Sequence, residues 1–192
     1  MIDMSALPLY NWWATKTYRT FTMSGQREHS RSGASGKTEY ITAEGYRRLE
    51  EEADYLWAKK RPQVVSALAD AAAEGDRSEN AEYIYRKRQV AEIDRRLRFL
   101  AKRMDAVTMV TEKPKADGRV YFGCYVTVED AEGESKRYRI VGADEWDTKR
   151  SEISMDSPMG RALLGKRVDD EVLVRRPIGD IYLTITGISV DA

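Results

Sequence analysis

The sequence predicts an α + (α+β) fold, in which an N-terminal antiparallel helical hairpin precedes a small, mostly antiparallel β-sheet domain with one short helix. Three observations indicate this fold. From residue 42 to residue 107, apolar residues recur at steps of three and four, the spacing of one helix face. A Gly-Asp turn at Gly75 and Asp76 interrupts that pattern, so two helices run in opposite directions. Beyond Lys113 and Pro114 the period becomes two, which is typical of strands and predicts a domain boundary near residue 111.

Composition gives room for one or two small domains with a real core. The chain has 192 residues, of which 42% are hydrophobic and 33% charged. Lys plus Arg and Asp plus Glu both count 32, so overall charge makes no case for nucleic-acid or membrane binding. The single cysteine, Cys124, cannot form an internal disulfide, which favours a reducing cytoplasm. We expect Cys124 to be a packed strand residue rather than a nucleophile, because no histidine follows nearby in sequence to activate it.

Residues 1–37 are predicted to be a disordered extension outside the fold. Aromatic residues in its first part are interrupted by Pro8, Asn11 and Lys16, a pattern of neither a signal peptide nor a membrane span. From Ser24 onward the composition is rich in Ser, Gly, Arg and Gln, as in flexible segments. Met23 offers a second plausible start, so the assigned start is open to question.

Residues 38–110 are predicted to form the hairpin. Thr42 is the expected N-cap of the first helix, and Pro62 should break or offset that helix after Lys60. The predicted apolar seam consists of Tyr46, Leu49, Ala53 and Leu56, then Val65, Leu68 and Ala72, and on the return helix Val90, Ile93, Leu97, Leu100, Met104 and Val107. A single seam on each helix predicts a hairpin that projects by about 45 Å.

The acidic tip at residues 74–80 has two interpretations. In the first, Gly75 stops the first helix and Asp76 caps the second, with Glu79 completing a capping box three residues later. In the second, the exposed acids are presented for chemistry. A spacing of three places both carboxylates on one face of a helix start.

The return helix carries more bases than acids. Eight bases stand against four acids between Glu82 and Asp105. The pattern fits a solvated helix face with internal ion pairs as well as it fits a surface that faces nucleic acid. Tyr83 and Tyr85 at its start can pack across the hairpin or stack on a base, and packing is the expectation for Tyr83.

Residues 111–192 are predicted to form the sheet domain. The predicted strands are Val120–Phe122, Tyr125–Glu129, Lys136–Val141, Glu171–Arg175 and Ile181–Ile188. Residues 130–133 form a hairpin turn, and a short helix at 159–164 has Ser157 as N-cap, Pro158 at its first position and Gly165 as its stop. No nucleophile is paired with a base in this part, which favours a docking module over an enzyme.

Four segments together resemble the bacterial transcript cleavage factors GreA and GreB. They are residues 55–62 (Tyr-Leu-Trp-Ala-Lys-Lys-Arg-Pro), 75–83 (Gly-Asp-Arg-Ser-Glu-Asn-Ala-Glu-Tyr), 92–100 (Glu-Ile-Asp-Arg-Arg-Leu-Arg-Phe-Leu) and 153–164 (Ile-Ser-Met-Asp-Ser-Pro-Met-Gly-Arg-Ala-Leu-Leu). The resemblance extends over about residues 39 to 192, in order. The Tyr-Leu-Trp segment, Arg77 and the Ile-Asp-Arg-Arg run are similar to GreB rather than GreA.

The resemblance implies a role for the tip. In this family the coiled coil enters the secondary channel of RNA polymerase, where two tip carboxylates, here Asp76 and Glu79, help to hold a second Mg²⁺ in the polymerase active site. The polymerase then hydrolyses backtracked RNA, so this chain is expected to stimulate a nuclease rather than to be an enzyme. Ser78 and Asn80 are expected to support the acids. Two carboxylates bind Mg²⁺ weakly in water, so no metal is expected in the free protein.

The resemblance also implies partners. The RNA-facing residues are expected to be Arg86, Lys87, Arg95 and Arg98, the docking residues Asp156, Ser157 and Pro158, and the docking surface a coiled coil of the largest polymerase subunit. Residues 111–192 correspond to the family's FKBP-like domain. The nascent RNA 3′ segment is the expected ligand, and DNA of the elongation complex is a candidate one. The chain is expected to be a cytoplasmic monomer without a membrane partner.

Two alternatives to cleavage stimulation stay open at this point. One is a channel-binding polymerase regulator that does not promote cleavage. The other is a prolyl isomerase, suggested only by the FKBP-like fold. The aromatic residues available for a proline pocket include Tyr125, Tyr138, Trp146 and Tyr182, most of which are explicable as sheet core.

Overall fold

A computed structural model describes residues 39–74 and 79–191. The chain divides into two compact units. The described part of the first unit comprises residues 55–74 and 79–103, and that of the second comprises residues 39–54 and 104–191. The predicted extension at 1–37 and the tip positions 75–78 lie outside the described residues.

Four α-helices are present in the described chain. They are α1 (Ala43–Tyr55), α2 (Arg61–Ala73), α3 (Ala81–Ala106) and α4 (Pro158–Leu163). The predicted N-cap of α1 is confirmed, since the Thr42 hydroxyl accepts a hydrogen bond from the Gly45 amide at 3.0 Å. The described part of the first unit is helical from residue 55 to residue 73 and from residue 81 to residue 103, which confirms the predicted helical region.

A π-helical turn, Leu56–Lys60, joins α1 to α2. Pro62 stands in the first turn of α2, where its missing N–H would be without a helical partner in any case. The predicted offset at this proline is therefore confirmed, and the chain remains helical through it.

The π turn shifts the apolar seam by one residue. Leu56 and Val64, eight residues apart, are both buried, whereas two α-helical turns would place the next buried position seven residues on. Val65 is 38% exposed, so its predicted place in the seam is wrong. Beyond the π turn the buried positions are Val64 and Ala71, whereas the predicted Ala72 is only partly buried.

The antiparallel arrangement of α2 and α3 follows from two side-chain contacts in the first unit. Arg61, at the start of α2, pairs with Asp94 at 2.8 Å. Near the other end of α2, the Asn80 side-chain amide donates to the Ala71 carbonyl at 2.9 Å. The return seam is confirmed, with its central positions buried at Ile93, Leu97, Leu100 and Met104.

The second unit contains a five-stranded sheet. Its strands are β3 (Tyr125–Glu129), β4 (Ser135–Val141), β5 (Glu152–Ser154), β6 (Glu171–Val174) and β7 (Ile181–Ser189), in the order β5-β4-β3-β7-β6. Only the β4–β5 pair is parallel within this sheet, so the predicted mostly antiparallel character is confirmed. A separate parallel pair joins β1 (Tyr40–Thr42) to β2 (Thr108–Val110).

Sequence periodicity misjudged one strand of the second unit and missed three. Val120 is fully buried, but residues 120–122 are not a strand, because the backbone of Val120 bonds only to the loop at Gly165 and Lys166. The missed strands β1, β2 and β5 have three residues each, too short for an alternation to be visible. The predicted turn at 130–133 is confirmed, with Gly133 at a φ of 82°.

The core of the second unit lies between the sheet and α4. It is formed by Val120, Val126, Val128, Ile140, Leu163, Val172, Val174, Leu183 and Ile185. The strand residues among them alternate with exposed ones, so the opposite face of the sheet carries polar side chains and a few exposed apolar ones. Cys124 is buried, as expected, but it immediately precedes β3 and is not itself a strand residue. Burial raises the pKa of its thiol.

Candidate functional site

The start of α3 is capped by Asn80. Its side-chain oxygen accepts a hydrogen bond from the Tyr83 amide at 3.1 Å, while its NH₂ group donates to Ala71. The predicted capping box of Asp76 and Glu79 is therefore wrong, because α3 begins four residues later than that box requires. Asparagine is as good an N-cap as aspartate and can also donate a hydrogen bond, which a carboxylate cannot.

Glu79 is thus free of a capping role. It is exposed and immediately precedes the cap residue, so it lies outside α3 rather than on its first turn. The predicted common helix face of the two acids is accordingly wrong for Glu79. Asp76 and Ser78 lie outside the described residues. Glu74, the C-cap of α2, is also exposed.

The possible metal ligands of the described tip residues are carboxylate oxygens. Within residues 39–74 and 79–191, no group of three or more His, Cys, Asp or Glu side chains could hold a metal ion. A carboxylate such as that of Glu79 is the ligand type that Mg²⁺ prefers, usually alongside phosphate and water oxygens.

The basic residues of α3 form a stripe along one face, which we call the basic stripe. Its members are Lys87, Arg88, Arg95, Arg98 and Lys102, all exposed, at steps that keep them on one side of the helix. Two acids of α3 lie near this face: Asp94 at its edge, where it pairs with Arg61, and Asp105 beyond Lys102. Among the described residues, no ion pair joins any of these five cations to an acid. The structure thus brings three of the predicted RNA-facing residues together: Lys87, Arg95 and Arg98.

Arg86, the fourth predicted RNA-facing residue, belongs to a different cluster. Its guanidinium pairs with Glu82 at 2.6 Å and also donates to the Gln89 side chain at 3.1 Å. One helical position separates Arg86 from Lys87, which turns the two side chains about 100° apart. Arg86 is therefore neutralised locally, whereas the basic stripe is not.

The predicted docking residues lie at the start of α4. The Ser157 hydroxyl accepts a hydrogen bond from the Gly160 amide at 3.0 Å and donates to the Ser154 carbonyl at 2.6 Å. Pro158 follows at the first helical position and is exposed. A Cβ on Gly160 would lie 2.2 Å from the Ser154 carbonyl oxygen, so only glycine allows this approach. The backbone thus holds Asp156, Ser157 and Pro158 in one rigid corner.

A surface cavity of about 450 Å³ opens beside this corner. Its lining comprises Ala143, Trp146, Thr148, Glu152, Ile153, Ser154, Asp156 and Ser157. Trp146 is 57% exposed, so it is not among the aromatic residues that pack in the sheet core. A tryptophan ring with one wet side is a frequent anchor of protein interfaces. Sequence reasoning named Trp146 only as a candidate for a proline pocket and did not place it beside the docking residues, since an isolated aromatic residue in a loop carries no periodicity.

Sequence reasoning also missed a buried carboxylate, Glu145, that ties the start of α1 to the sheet unit. Its side chain is 1% exposed and accepts hydrogen bonds from the Thr42 amide at 2.9 Å and the Gly142 amide at 2.7 Å. It also accepts a short hydrogen bond from the Thr42 hydroxyl. All of these donors come from residues of the second unit, so Glu145 fixes how α1 leaves the sheet.

A set of ion pairs extends this connection. Arg48 pairs with the buried Glu152 at 3.0 Å. Glu44 pairs with Arg139 at 2.7 Å and with Arg150 at 2.9 Å. The Arg139 guanidinium that donates to Glu44 lowers the pKa of this carboxyl, against an opposing effect of burial.

In the chain segments that the structure covers, no helix is both long enough and apolar enough to cross a bilayer.

Two protein-family profiles match the chain. One, described as "Transcription elongation factor, N-terminal", matches residues 39–108. The other, described as "Transcription elongation factor, GreA/GreB, C-term", matches residues 114–190. Together they cover the helical hairpin and the sheet domain. The chain therefore belongs to the GreA/GreB family of transcription elongation factors.

Individual relatives are similar over nearly their whole length. The chain is 53% identical to transcription elongation factor GreB of Haemophilus influenzae over 152 residues, 79% of this chain and 96% of that protein. It is 55% identical to the GreB of Xanthomonas axonopodis pv. citri over 162 residues, 84% of this chain and 95% of the relative. A solved structure of GreA factor homolog 1 from Thermus thermophilus is 25% identical, and the match covers 78% of this chain and 97% of that one with a TM-score of 0.35.

Proposed function

We propose that this chain binds bacterial RNA polymerase, inserts its helical hairpin into the secondary channel and stimulates the polymerase's own cleavage of backtracked nascent RNA. The chain would then be an activator that supplies acids in trans and not an enzyme by itself. Membership of the GreA/GreB family supports the setting in transcription elongation.

The observation that carries this proposal is the position of Glu79. Its carboxylate is exposed and stands just outside α3, whose N-cap is Asn80. Among residues 39–74 and 79–191, no ion pair joins Glu79 to a base. An acid that neither caps a helix nor pairs with a base contributes little to folding, which favours a role outside the free protein. Asp76, three residues earlier, would be its partner.

The chemistry proposed for the tip is the completion of a magnesium site. Asp76 and Glu79 would provide oxygen ligands to a second Mg²⁺, whose remaining ligands belong to the polymerase and to RNA phosphate. When bound, such a second metal ion activates the attacking water and stabilises the leaving oxygen. Asn80 would act indirectly, because its capping hydrogen bonds fix the point at which the chain that carries Glu79 enters α3.

Two further surfaces would position the tip. The basic stripe, with Lys87, Arg95 and Arg98, would hold phosphates of the extruded RNA 3′ segment without base specificity. The corner at Asp156, Ser157 and Pro158 would dock on a coiled coil of the largest polymerase subunit, with Trp146 beside it as an apolar contact.

The test is RNA cleavage in backtracked elongation complexes at limiting Mg²⁺. Wild type is compared with the double variant Asp76→Asn/Glu79→Gln at equal polymerase occupancy, and Glu74→Gln is the matched control, since it removes another exposed tip acid. We expect cleavage to be accelerated by wild type and by the control but not by the double variant. Acceleration by the double variant at the wild-type level would refute the role of the acids. Binding without acceleration by any form would instead support a channel-binding regulator.

A further inference from the structure

Two aromatic rings on α3 are exposed and each is held by an arginine. Tyr85 is 52% exposed, and the Arg86 guanidinium lies 5.4 Å from its ring centroid. Phe99 is 40% exposed, with Arg96 at 5.1 Å from its ring centroid. An arginine on one face leaves the remainder of each ring open to solvent.

The Tyr85 ring is fixed by more than one contact. Arg86, which lies over the ring, is itself held by Glu82 at 2.6 Å, and Gln89 donates to the Tyr85 hydroxyl at 3.4 Å. Holding a half-exposed aromatic ring in one orientation lowers the conformational entropy lost when a second flat group stacks on it.

The two rings border the basic stripe. Tyr85 and Phe99 are fourteen positions apart on α3, which places them about 21 Å apart along the axis and about 40° apart around it. Around the helix axis, Arg88 and Arg95 of the stripe are about 60° and 80° from Tyr85. The same two arginines are about 20° and 40° from Phe99. The cations of the stripe make no ion pair with any described acid. Aromatic faces and a row of cations are the two components by which proteins bind single strands of nucleic acid.

We propose that Tyr85 and Phe99 are stacking platforms for bases of single-stranded RNA, whose phosphates lie on the basic stripe. This inference rests on the proposed handling of RNA by that stripe, and it adds a base-stacking function and a binding activity of the free protein. The cations favour a polyanion over an apolar protein surface. A duplex would hide its base faces from the rings, so the ligand is a single strand.

The experiment uses the full chain without polymerase. The probe is a single-stranded oligoribonucleotide of on the order of ten nucleotides with one 2-aminopurine, followed by anisotropy and by fluorescence quenching, which reports stacking. Tyr85→Ala and Phe99→Ala are each expected to weaken binding by about 5- to 150-fold and to relieve quenching. Tyr85→Phe and Phe99→Tyr should restore both. The matched control is Tyr182→Ala, which removes a ring that is 57% exposed in the sheet unit.

The salt dependence separates stacking from charge. The aromatic variants should leave the slope of log affinity against log salt unchanged, whereas Arg95→Gln should reduce it by about 0.7. The inference is overturned if wild type does not bind the probe, if both alanine variants bind and quench as wild type does, or if the Tyr182 control loses as much. Equal binding of a duplex with the same sensitivity to Tyr85→Ala would also overturn it. Cleavage stimulation is scored separately in elongation complexes, so failure of either idea is distinguishable from failure of the other.

Discussion

The contact between Gly45 and Glu145 gives a prediction whose size can be worked from the structure. A Cβ at position 45 would lie 1.9 Å from Glu145 Oε2, 2.5 Å from its Cδ and 2.8 Å from its Cβ. The Glu145 side chain is buried and receives hydrogen bonds from Thr42 and Gly142, so it cannot turn away without losing them. We therefore expect Gly45→Ala to lower the free energy of unfolding by about 2 to 4 kcal/mol, from overpacking and weakened bonds to a charged acceptor.

The same substitution should have a smaller effect when the Glu145 carboxylate is absent. Glu145→Ala by itself should lower the free energy of unfolding by about 3 to 5 kcal/mol, since it leaves buried N–H groups of Thr42 and Gly142 without an acceptor. In that background the two shortest contacts of position 45 are gone. The Cβ contact at 2.8 Å remains, and alanine is the better helix former by about 1 kcal/mol. In the Glu145→Ala background, Gly45→Ala should therefore lower the free energy of unfolding by less than about 1 kcal/mol.

The assay is urea unfolding of the wild type, both single variants and the double variant, together with native-state exchange of the Thr42 and Gly142 amides. The expected coupling between the two sites is at least about 1 kcal/mol, and the two amides should lose protection in both single variants. If Gly45→Ala destabilises the protein equally in both backgrounds, the carboxylate does not determine why glycine stands at this position, and the reasoning fails.

Two further predictions concern the tip and the acid limb of stability. Asn80→Ala removes the α3 cap and the bond to the Ala71 carbonyl, and should lower the free energy of unfolding by about 1 to 2 kcal/mol. Asn80→Asp keeps the cap of α3 but not the bond to Ala71, so its thermal unfolding midpoint should lie between those of wild type and Asn80→Ala. If Asn80→Ala is as stable as wild type, Asn80 does not stabilise the start of α3. The pKa of Glu44 is lowered in the folded state by Arg139, so its contribution is present above the unfolded pKa of about 4.3 and is lost as pH falls through the folded value. Below a pH of about 5, the free energy of unfolding of Glu44→Gln should fall less steeply with pH than that of wild type. The difference should be less than about 1 kcal/mol, because the Glu44 side chain is 37% exposed. If urea unfolding gives the same pH dependence for both proteins, the Glu44–Arg139 pair does not contribute to stability.

Much of the fold was determined by local sequence signals. The helical period gave both long helices and the return seam at Ile93, Leu97 and Leu100, and each of these residues is buried. Thr42 as a cap and Ser157 as a cap were predicted from residue type, because capping depends on atoms only a few positions away. Local signals of this kind do not need knowledge of the rest of the chain.

Local signals failed where the outcome depended on contacts or backbone geometry that the sequence does not show. Asp76 and Asn80 are both good caps, and the choice of Asn80 depends on a carbonyl of α2 that the sequence does not place. Similarly, the π turn before Pro62 moves the buried position to Val64, one residue beyond the α-helical step from Leu56. A one-residue shift leaves composition unchanged, so no period in the sequence reveals it.

For the candidate site, the sequence by itself determined the family motifs, the excess of bases on α3 and the acids of the tip. The folded structure was needed to show that Arg86 is neutralised by Glu82, whereas Lys87 has no ion-pair partner among the described residues. It was also needed to show that Trp146 lines a cavity together with Ser157. The reason is physical: motif and charge are properties of residues in order. Pairing, exposure and burial depend on which atoms the folded chain brings within a few ångströms of each other.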